Sequence, residues 1–210
     1  YGVKMALQLV TAAGGGEVFL VSMAPNGETS GLRTALAMGA AKAVLVSDVS
    51  LAGADALTTA KVLGAATKQL GDADLIIAGT ESSDGYTGTV PEQMAEVLGL
   101  PSITFAKSVA VEGGTVKVAR QTEAGYDEVE CPTPAVVSVT AGVVAPMATP
   151  TASTWRTASR LMTGSAPGRP RQTGQVSVLG AACAMALEQP QNIFDAVFSS
   201  TWISMPMTGS

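Results

Sequence analysis

One stretch limits what this chain can fold into more than any other. Residues 74–91 read Asp-Leu-Ile-Ile-Ala-Gly-Thr-Glu-Ser-Ser-Asp-Gly-Tyr-Thr-Gly-Thr-Val-Pro. Leu75, Ile76, Ile77 and Ala78 form a short unbroken apolar run, as a strand buried on both faces requires. A loop of glycines, hydroxyls and acids follows at once: Gly79, Thr80, Glu81, Ser82, Ser83, Asp84, Gly85, Tyr86, Thr87 and Gly88. The pattern then predicts a helix from Val90. Thr89 serves as N-cap, Glu92 completes a capping box, and Pro91 is tolerated because first-turn N–H groups have no intrahelical partner. Strand, polar loop and helix N-terminus together form the arrangement in which open α/β sheets hold phosphate-bearing ligands. Glycines let backbone N–H groups approach an anion, hydroxyls add donors, and the helix dipole presents its positive end. No lysine follows Gly88 and no Gly-x-Gly-x-x-Gly run is present, so neither common phosphate fingerprint applies. An ordinary polar turn that binds nothing fits the same residues.

The flanks repeat the rhythm. Val3–Ala13 reads as a helix with Leu7, Leu9 and Val10 inward, stopped by Gly14-Gly15-Gly16. Glu17–Met23 reads as a strand closed by the turn cluster Pro25-Asn26-Gly27, and Ser30–Met38 as a helix with Leu32, Ala35 and Leu36 on one face. Ala43–Val46 is a further short buried strand. Asp55 then caps a helix whose Leu57, Ala60, Leu63 and Thr67 recur at helical spacing. This alternation predicts parallel strands joined by right-handed crossovers, a three-layer Rossmann-like sheet. After the helix Val90–Leu98 the character changes. Ser102–Val111, Thr115–Arg120, Tyr126–Cys131 and Ala135–Thr140 are strand-like, with hairpin turns at Gly113-Gly114 and Ala124-Gly125, so an antiparallel meander is added to the parallel sheet.

Composition narrows the chemistry. The 210 residues are 47% hydrophobic and 14% charged with a net charge of −5, a balance that argues against sequence-independent nucleic-acid binding. No run is long and apolar enough to span a bilayer, and no signal peptide is visible. The absence of histidine removes Ser-His-Asp and Cys-His catalysis, histidine-bearing zinc sites and the usual general base near neutral pH. Cys131 and Cys183 form no C-x-x-C pair, which fits a reducing compartment, and Cys131 reads as an inert buried thiol. Arg33 and Lys42 lie closest to strand–helix junctions and read as solvated helix-end charges rather than ligands. From about residue 145 the pattern dissolves into a Pro/Thr/Ser/Ala-rich tail whose only basic residues are arginines, with weak helix or strand signals at Val176–Leu187 and Ile193–Phe198. The expected division is a nucleotide-binding domain over 1–144 and a poorly specified tail over 145–210.

Six segments carry a family resemblance. They are Val21–Gly27, Leu32–Ala40, Ala78–Gly85, Leu100–Phe105, Val111–Gly114 and Pro134–Val139. Over residues 1–145, in this order, they resemble the β subunit of an electron transfer flavoprotein. The resemblance implies an electron carrier rather than an enzyme, a heterodimer with an α subunit that holds most of the FAD, and electrons passing from acyl-CoA and related dehydrogenases to a membrane quinone oxidoreductase. It also implies a structural AMP, replaced by a second FAD in electron-bifurcating relatives. The nucleotide contacts would fall on Gly79 through Val90 with Met23 at the end of the preceding strand; Gly88, Thr89 and Val90 would face the phosphate and Asp84 would order the loop. The implied location is a bacterial cytoplasm, ahead of the mitochondrial matrix.

Two departures accompany the resemblance. The family's opening strand is absent, which would leave apolar sheet edges uncovered. The tail leaves the family pattern from about residue 146, as a shifted reading frame or a misjoined gene would make it do. Other classes stay open from the residues themselves: a nucleotide-sensing module of stress-protein type that binds ATP, and an adenylating enzyme, which would need cations beside the phosphates that this loop does not supply.

Overall fold

The computed structural model describes residues 1–143 and the backbone of 178–181 and 201–205. In chain order it runs α1 (Gly2–Ala12), β1 (Phe19–Met23), α2 (Ser30–Ala37), β2 (Lys42–Val46), a 3-10 turn (Val49–Leu51), α3 (Ala56–Leu70), β3 (Leu75–Gly79) and α4 (Val90–Leu98). Then come β4 (Ser102–Glu112), β5 (Thr115–Thr122), β6 (Gly125–Pro132), β7 (Ala135–Val139), β8 (Val178–Ala181) and β9 (Thr201–Met205). Of the weak tail signals, Val176–Leu187 contains the described strand β8, while the rest of that segment, Ile193–Phe198 and the tail's boundary at 145 lie outside the described residues.

The strands form one mixed sheet in the order β2-β1-β8-β9-β3-β7-β4-β5-β6. β1 and β2 are parallel, as are β3, β7 and the first part of β4. From β1 the chain crosses to β2 in one direction through α2, then returns past β1 to β3 through α3. Right-handed crossovers therefore put α2 and α3 on opposite faces. The side chain of Leu7 in α1 lies about a van der Waals contact from Gly39 at the end of α2, and Val97 and Leu98 of α4 meet Gly64 of α3. So α1 and α2 cover one face, and α3 and α4 the other. This is the expected three-layer α/β class. The core is centred on β1, β3 and β7, each buried at every position.

Several local expectations are corrected. β1 begins at Phe19 rather than Glu17, which is exposed. Val3, Met5 and Ala6 are the buried residues of α1, whereas Leu7, Leu9 and Val10 are only half-buried, because the first turns of the helix meet the sheet. β2 is half-buried rather than buried, since among the described residues it has a strand on one side only. Leu57 is 45% exposed, in the first turn of α3 beyond the end of the sheet, while Ala60, Leu63 and Thr67 are buried as their spacing predicts. The meander comprises β4, β5 and β6; β7 instead enters the sheet between β3 and β4, parallel to both. The edges of β1 and β3 that were expected to be uncovered are paired: β8 lies parallel to β1, and β9 pairs antiparallel with β1 and with β3.

β4 also turns back on itself. Its start is fixed near β7 by Val136 N donating to Pro101 O (2.9 Å), and the turn after its end is fixed near the same chain by Thr133 N donating to Gly114 O (2.9 Å). Residues 133 and 136 are at most about 11 Å apart, whereas a straight strand of this length would span roughly 36 Å. The bend falls where both ladders of β4 slip register, between Ile103 and Ala106 towards β7 and between Ala106 and Ser108 towards β5. Phe105 at that corner has φ +56°. Bulges are the usual way a strand turns such a corner.

Candidate functional site

In a parallel sheet the loops that follow the strands gather at one edge, and here that edge carries the ends of β1, β2, β3 and β7. A pocket of about 210 Å³ opens there between two helix N-termini. One wall is the loop after β3 with the start of α4: Gly79, Glu81, Ser82, Asp84, Gly85, Thr87, Gly88, Val90 and Pro91. The other wall is the start of α3: Ala54, Asp55, Ala56, Thr59 and Leu63.

Each wall has a local cause. Asp55 accepts from Thr58 N through Oδ1 at 2.7 Å, a true N-cap, and hydrogen bonds from Thr58 hold its carboxyl below the usual range. α4 starts differently. Thr89 makes no side-chain cap bond; its Oγ1 accepts from Gln93 Nε2 at 3.3 Å instead. Its φ of −120° and ψ of −8° depart from the extended conformation usual at an N-cap, so the expected capping box is not formed. One carboxylate oxygen of Glu92 is instead buried without a hydrogen-bond partner, and burial raises its pKa above the ordinary value. The N-cap residue of α4 thus supplies no side-chain oxygen to the first turn, in which Pro91 has no N–H and Glu92 N meets its own carboxylate.

The loop between is ordered from within. Gly85 N donates to Asp84 Oδ1 at 2.8 Å and, more weakly, to Ser82 Oγ at 3.4 Å, and Tyr86 N donates to Ser82 O at 3.1 Å. Tyr86 stands out at φ +47°, 67% exposed. Gly88 has φ +60°, and a β-carbon there would lie 3.7 Å from Glu81 Oε2. Thr80 Oγ1 ties the start of the loop to Val139 O at 3.2 Å.

Of the residues expected in the site, Gly79, Glu81, Ser82, Asp84, Gly85, Thr87, Gly88 and Val90 line the pocket together. Thr80, Ser83, Tyr86 and Thr89 belong to the same loop but do not line it. Met23 ends β1 at the same edge yet is buried away from the pocket. Arg33 and Lys42 are exposed and outside it; Arg33 Nε donates to Thr29 Oγ1, and the Lys42 ammonium lies over the Phe19 ring. The wall from α3 was missed by sequence reasoning, although Asp55 as the cap of a helix after a parallel strand was the signal that could have found it. Among the described residues no group of His, Cys, Asp and Glu could hold a metal ion, and no helix is long and apolar enough to cross a membrane. Cys131 is half-buried, and burial raises its thiol pKa.

The arrangement suits a nucleotide in a particular way. Uncapped helix N–H groups and glycines offer donors for an anion, while Asp55, Glu81 and Asp84 offer acceptors for hydroxyl or amino groups. The volume is below the roughly 300–1,000 Å³ of complete small-molecule sites, enough for one part of such a ligand.

Comparison with known proteins agrees with the fold. The family described as "Electron transfer flavoprotein domain" matches residues 1–162. The chain is 41% identical over 124 residues to electron transfer flavoprotein subunit beta of Mycobacterium leprae, covering 59% of this chain and 47% of the relative. It is 40% identical over the same length to the protein of that name from Clostridium acetobutylicum, covering 59% and 48%. It is 36% identical, again over 124 residues and covering 59% and 47%, to the caffeyl-CoA reductase-Etf complex subunit CarD of Acetobacterium woodii. The chain therefore spans about half the length of these curated relatives. A family match over most of the chain, on a sheet of the expected class, places the protein among the electron transfer flavoproteins, where it resembles the β subunits.

Proposed function

We propose that the chain acts as the β subunit of an electron transfer flavoprotein and holds a structural AMP at the carboxyl edge of its sheet. The observation that carries this reading is the uncapped N-terminus of α4, which opens with Gly88 into the pocket in a chain of this family. In this reading the backbone N–H groups of Gly88, Thr89 and Val90 hold the phosphate. Glu81 and Asp84, already at the pocket wall, accept from the sugar or base and stay off the anion. Met23, Thr80, Ser83, Tyr86 and Thr87 complete the shell from outside or from the loop.

The AMP supplies no redox chemistry. FAD, held mainly by an α subunit, supplies the electron transfer, and this chain positions that subunit and closes its site. The proposed donors are acyl-CoA and related dehydrogenases, the proposed acceptor is a quinone oxidoreductase, and the proposed location is a bacterial cytoplasm. The proposed domain runs over residues 1–144, with 145–210 as a separate tail.

A second FAD in place of AMP is the alternative, supported by the likeness to a subunit whose name places it in a caffeyl-CoA reductase-Etf complex. The test is mass spectrometry of nucleotides released on denaturing the chain co-purified with its α subunit. AMP with about one FAD per heterodimer is the expected result. A second FAD selects the alternative, and ATP without flavin overturns both.

A further inference from the structure

Among the described residues β1 and β3 share no backbone pairing, although both are buried at every position. The sheet is therefore two half-sheets, β2-β1 and β3-β7-β4-β5-β6, with a seam between them. The seam lies at the switch point of the winding, since β1 leads one way to β2 and α3 returns the other way to β3. Buried backbone N–H and C=O groups along such a seam must find partners within the protein.

Strand β9, far along the chain, closes it. Ser204 pairs with Phe19 on one side and Ile76 on the other, and Ile203 pairs with Leu20 and Ile77. These two consecutive residues are the direct link between the half-sheets among the described residues. Beyond Leu20 the link is indirect: Val21, Ser22 and Met23 pair with β8, which pairs in turn with β9. The seam is thus one strand wide at its amino end and two strands wide at its carboxyl end, a fork of about 4.8 Å. α1 packs against β9 and β3, and α3 against β1 and β8, so helices cover the seam on both faces.

The pocket straddles the same seam. Its α3 wall is reached from β2, in one half-sheet, and its loop wall from β3, in the other. The spacing of the walls therefore follows the spacing of the halves. β9 is also lightly held, pairing with two residues of β1 and three of β3 where each strand offers five. Short ladders open locally at lower cost than full ones. The halves stay tethered without it, because α3 packs on α4 at Gly64.

We propose that residues 201–205 form a latch that fixes the separation of the two half-sheets and thereby the separation of the pocket walls. With the latch in the seam the pocket holds its ligand; with the latch out the halves shift and the ligand leaves. The inference goes beyond the nucleotide reading above, and only its second statement rests on that reading. It also moves β9 from the proposed tail into the domain, so that a segment more than a hundred residues from the pocket loop in sequence acts on the site.

The test uses the full chain as purified with its α subunit. Hydrogen exchange read by mass spectrometry on the parent should show the amides of 201–205 slowed by about a hundred-fold or more against an unstructured chain. Ser204→Pro removes a ladder donor at a residue paired on both sides. In that variant exchange along Phe19–Met23 and Leu75–Gly79 should rise about ten-fold. AMP added to saturation should leave it about five-fold faster or more than it leaves the parent. Unprotected amides at 201–205 in a parent whose β1 and β3 are protected overturn the latch, whether or not the variant folds. Protected amides there, with parent-like AMP release from Ser204→Pro, overturn its action on the pocket. A parent that holds no AMP overturns the nucleotide reading and that action with it, while the exchange at 201–205 still decides the latch.

Discussion

The hydroxyl of Thr80 donates to the carbonyl of Val139 across 3.2 Å, joining residues 59 apart in the chain. One lies at the start of the pocket loop and the other at the end of β7, whose neighbours Ser138 and Thr140 hold the corner of β4. Three adjacent residues at the end of β7 and just beyond it, Ser138, Val139 and Thr140, thus anchor both the loop and the bend.

Thr80→Val keeps the shape of the side chain and removes the donor. It should destabilise the fold by about 1 kcal/mol, the usual net worth of one such bond. For a domain of this size that is a fall of roughly 2–4 °C in melting temperature. The same variant should lose nucleotide more readily on dialysis, because the loop is freed at its root.

Gly88→Ala places a β-carbon at φ +60° with Glu81 Oε2 3.7 Å away. Space is adequate and backbone is not, so the cost should be about 1–2 kcal/mol from the left-handed conformation alone. Nucleotide retention should fall further than in Thr80→Val, since Gly88 borders the pocket itself. Thermal melting with a nucleotide assay on the same sample separates the two effects.

Glu92 gives a pH signature. Its folded pKa is raised above the ordinary value of 4.5 by burial, so the folded state disfavours its charged form. Below 4.5 the group is neutral in both states and costs nothing; as pH rises through the folded value, stability is lost. Glu92→Gln should therefore raise the melting temperature at pH 7, and the gain should vanish below about pH 4.5 in a pH series of melting curves.

Asp55 has the opposite sign. Hydrogen bonds from Thr58 lower its pKa below 3.8 in the fold, so its contribution is present above that value and lost as pH falls through the folded one. Asp55→Ala should be less stable than the parent at neutral pH and indistinguishable from it in strong acid. Because Asp55 also lines the pocket, a ligand that uses it as an acceptor should bind less tightly to the variant at neutral pH.

What the sequence makes legible is local. Asp55 before an apolar period, Gly99 after Leu98, and the turn pairs Gly113-Gly114 and Ala124-Gly125 each set an element boundary within a residue or two, because caps and turns depend on neighbours in the chain. The loop from Gly79 to Gly88 was legible for the same reason. The corner at Phe105 was not, since it is enforced by Ser138 and Thr140, more than 30 residues away. The α3 wall of the pocket was hidden likewise, because Asp55 and Gly88 meet only once the sheet is assembled. Thr89 and Glu92 carried the letters of a capping box, but packing turned the Glu92 side chain inward and overrode them.

Among the described residues β6 ends the sheet with one side of its backbone unpaired, and Asp127, Glu128 and Glu130 stand along it, all exposed. Two copies meeting rim to rim would set carboxylates of one chain about 5 Å from those of the other. Strand addition is therefore opposed by repulsion at the place where the backbone invites it. The acidic rim works as a terminator, keeping a sheet that could in principle be extended without limit to the size of a single molecule.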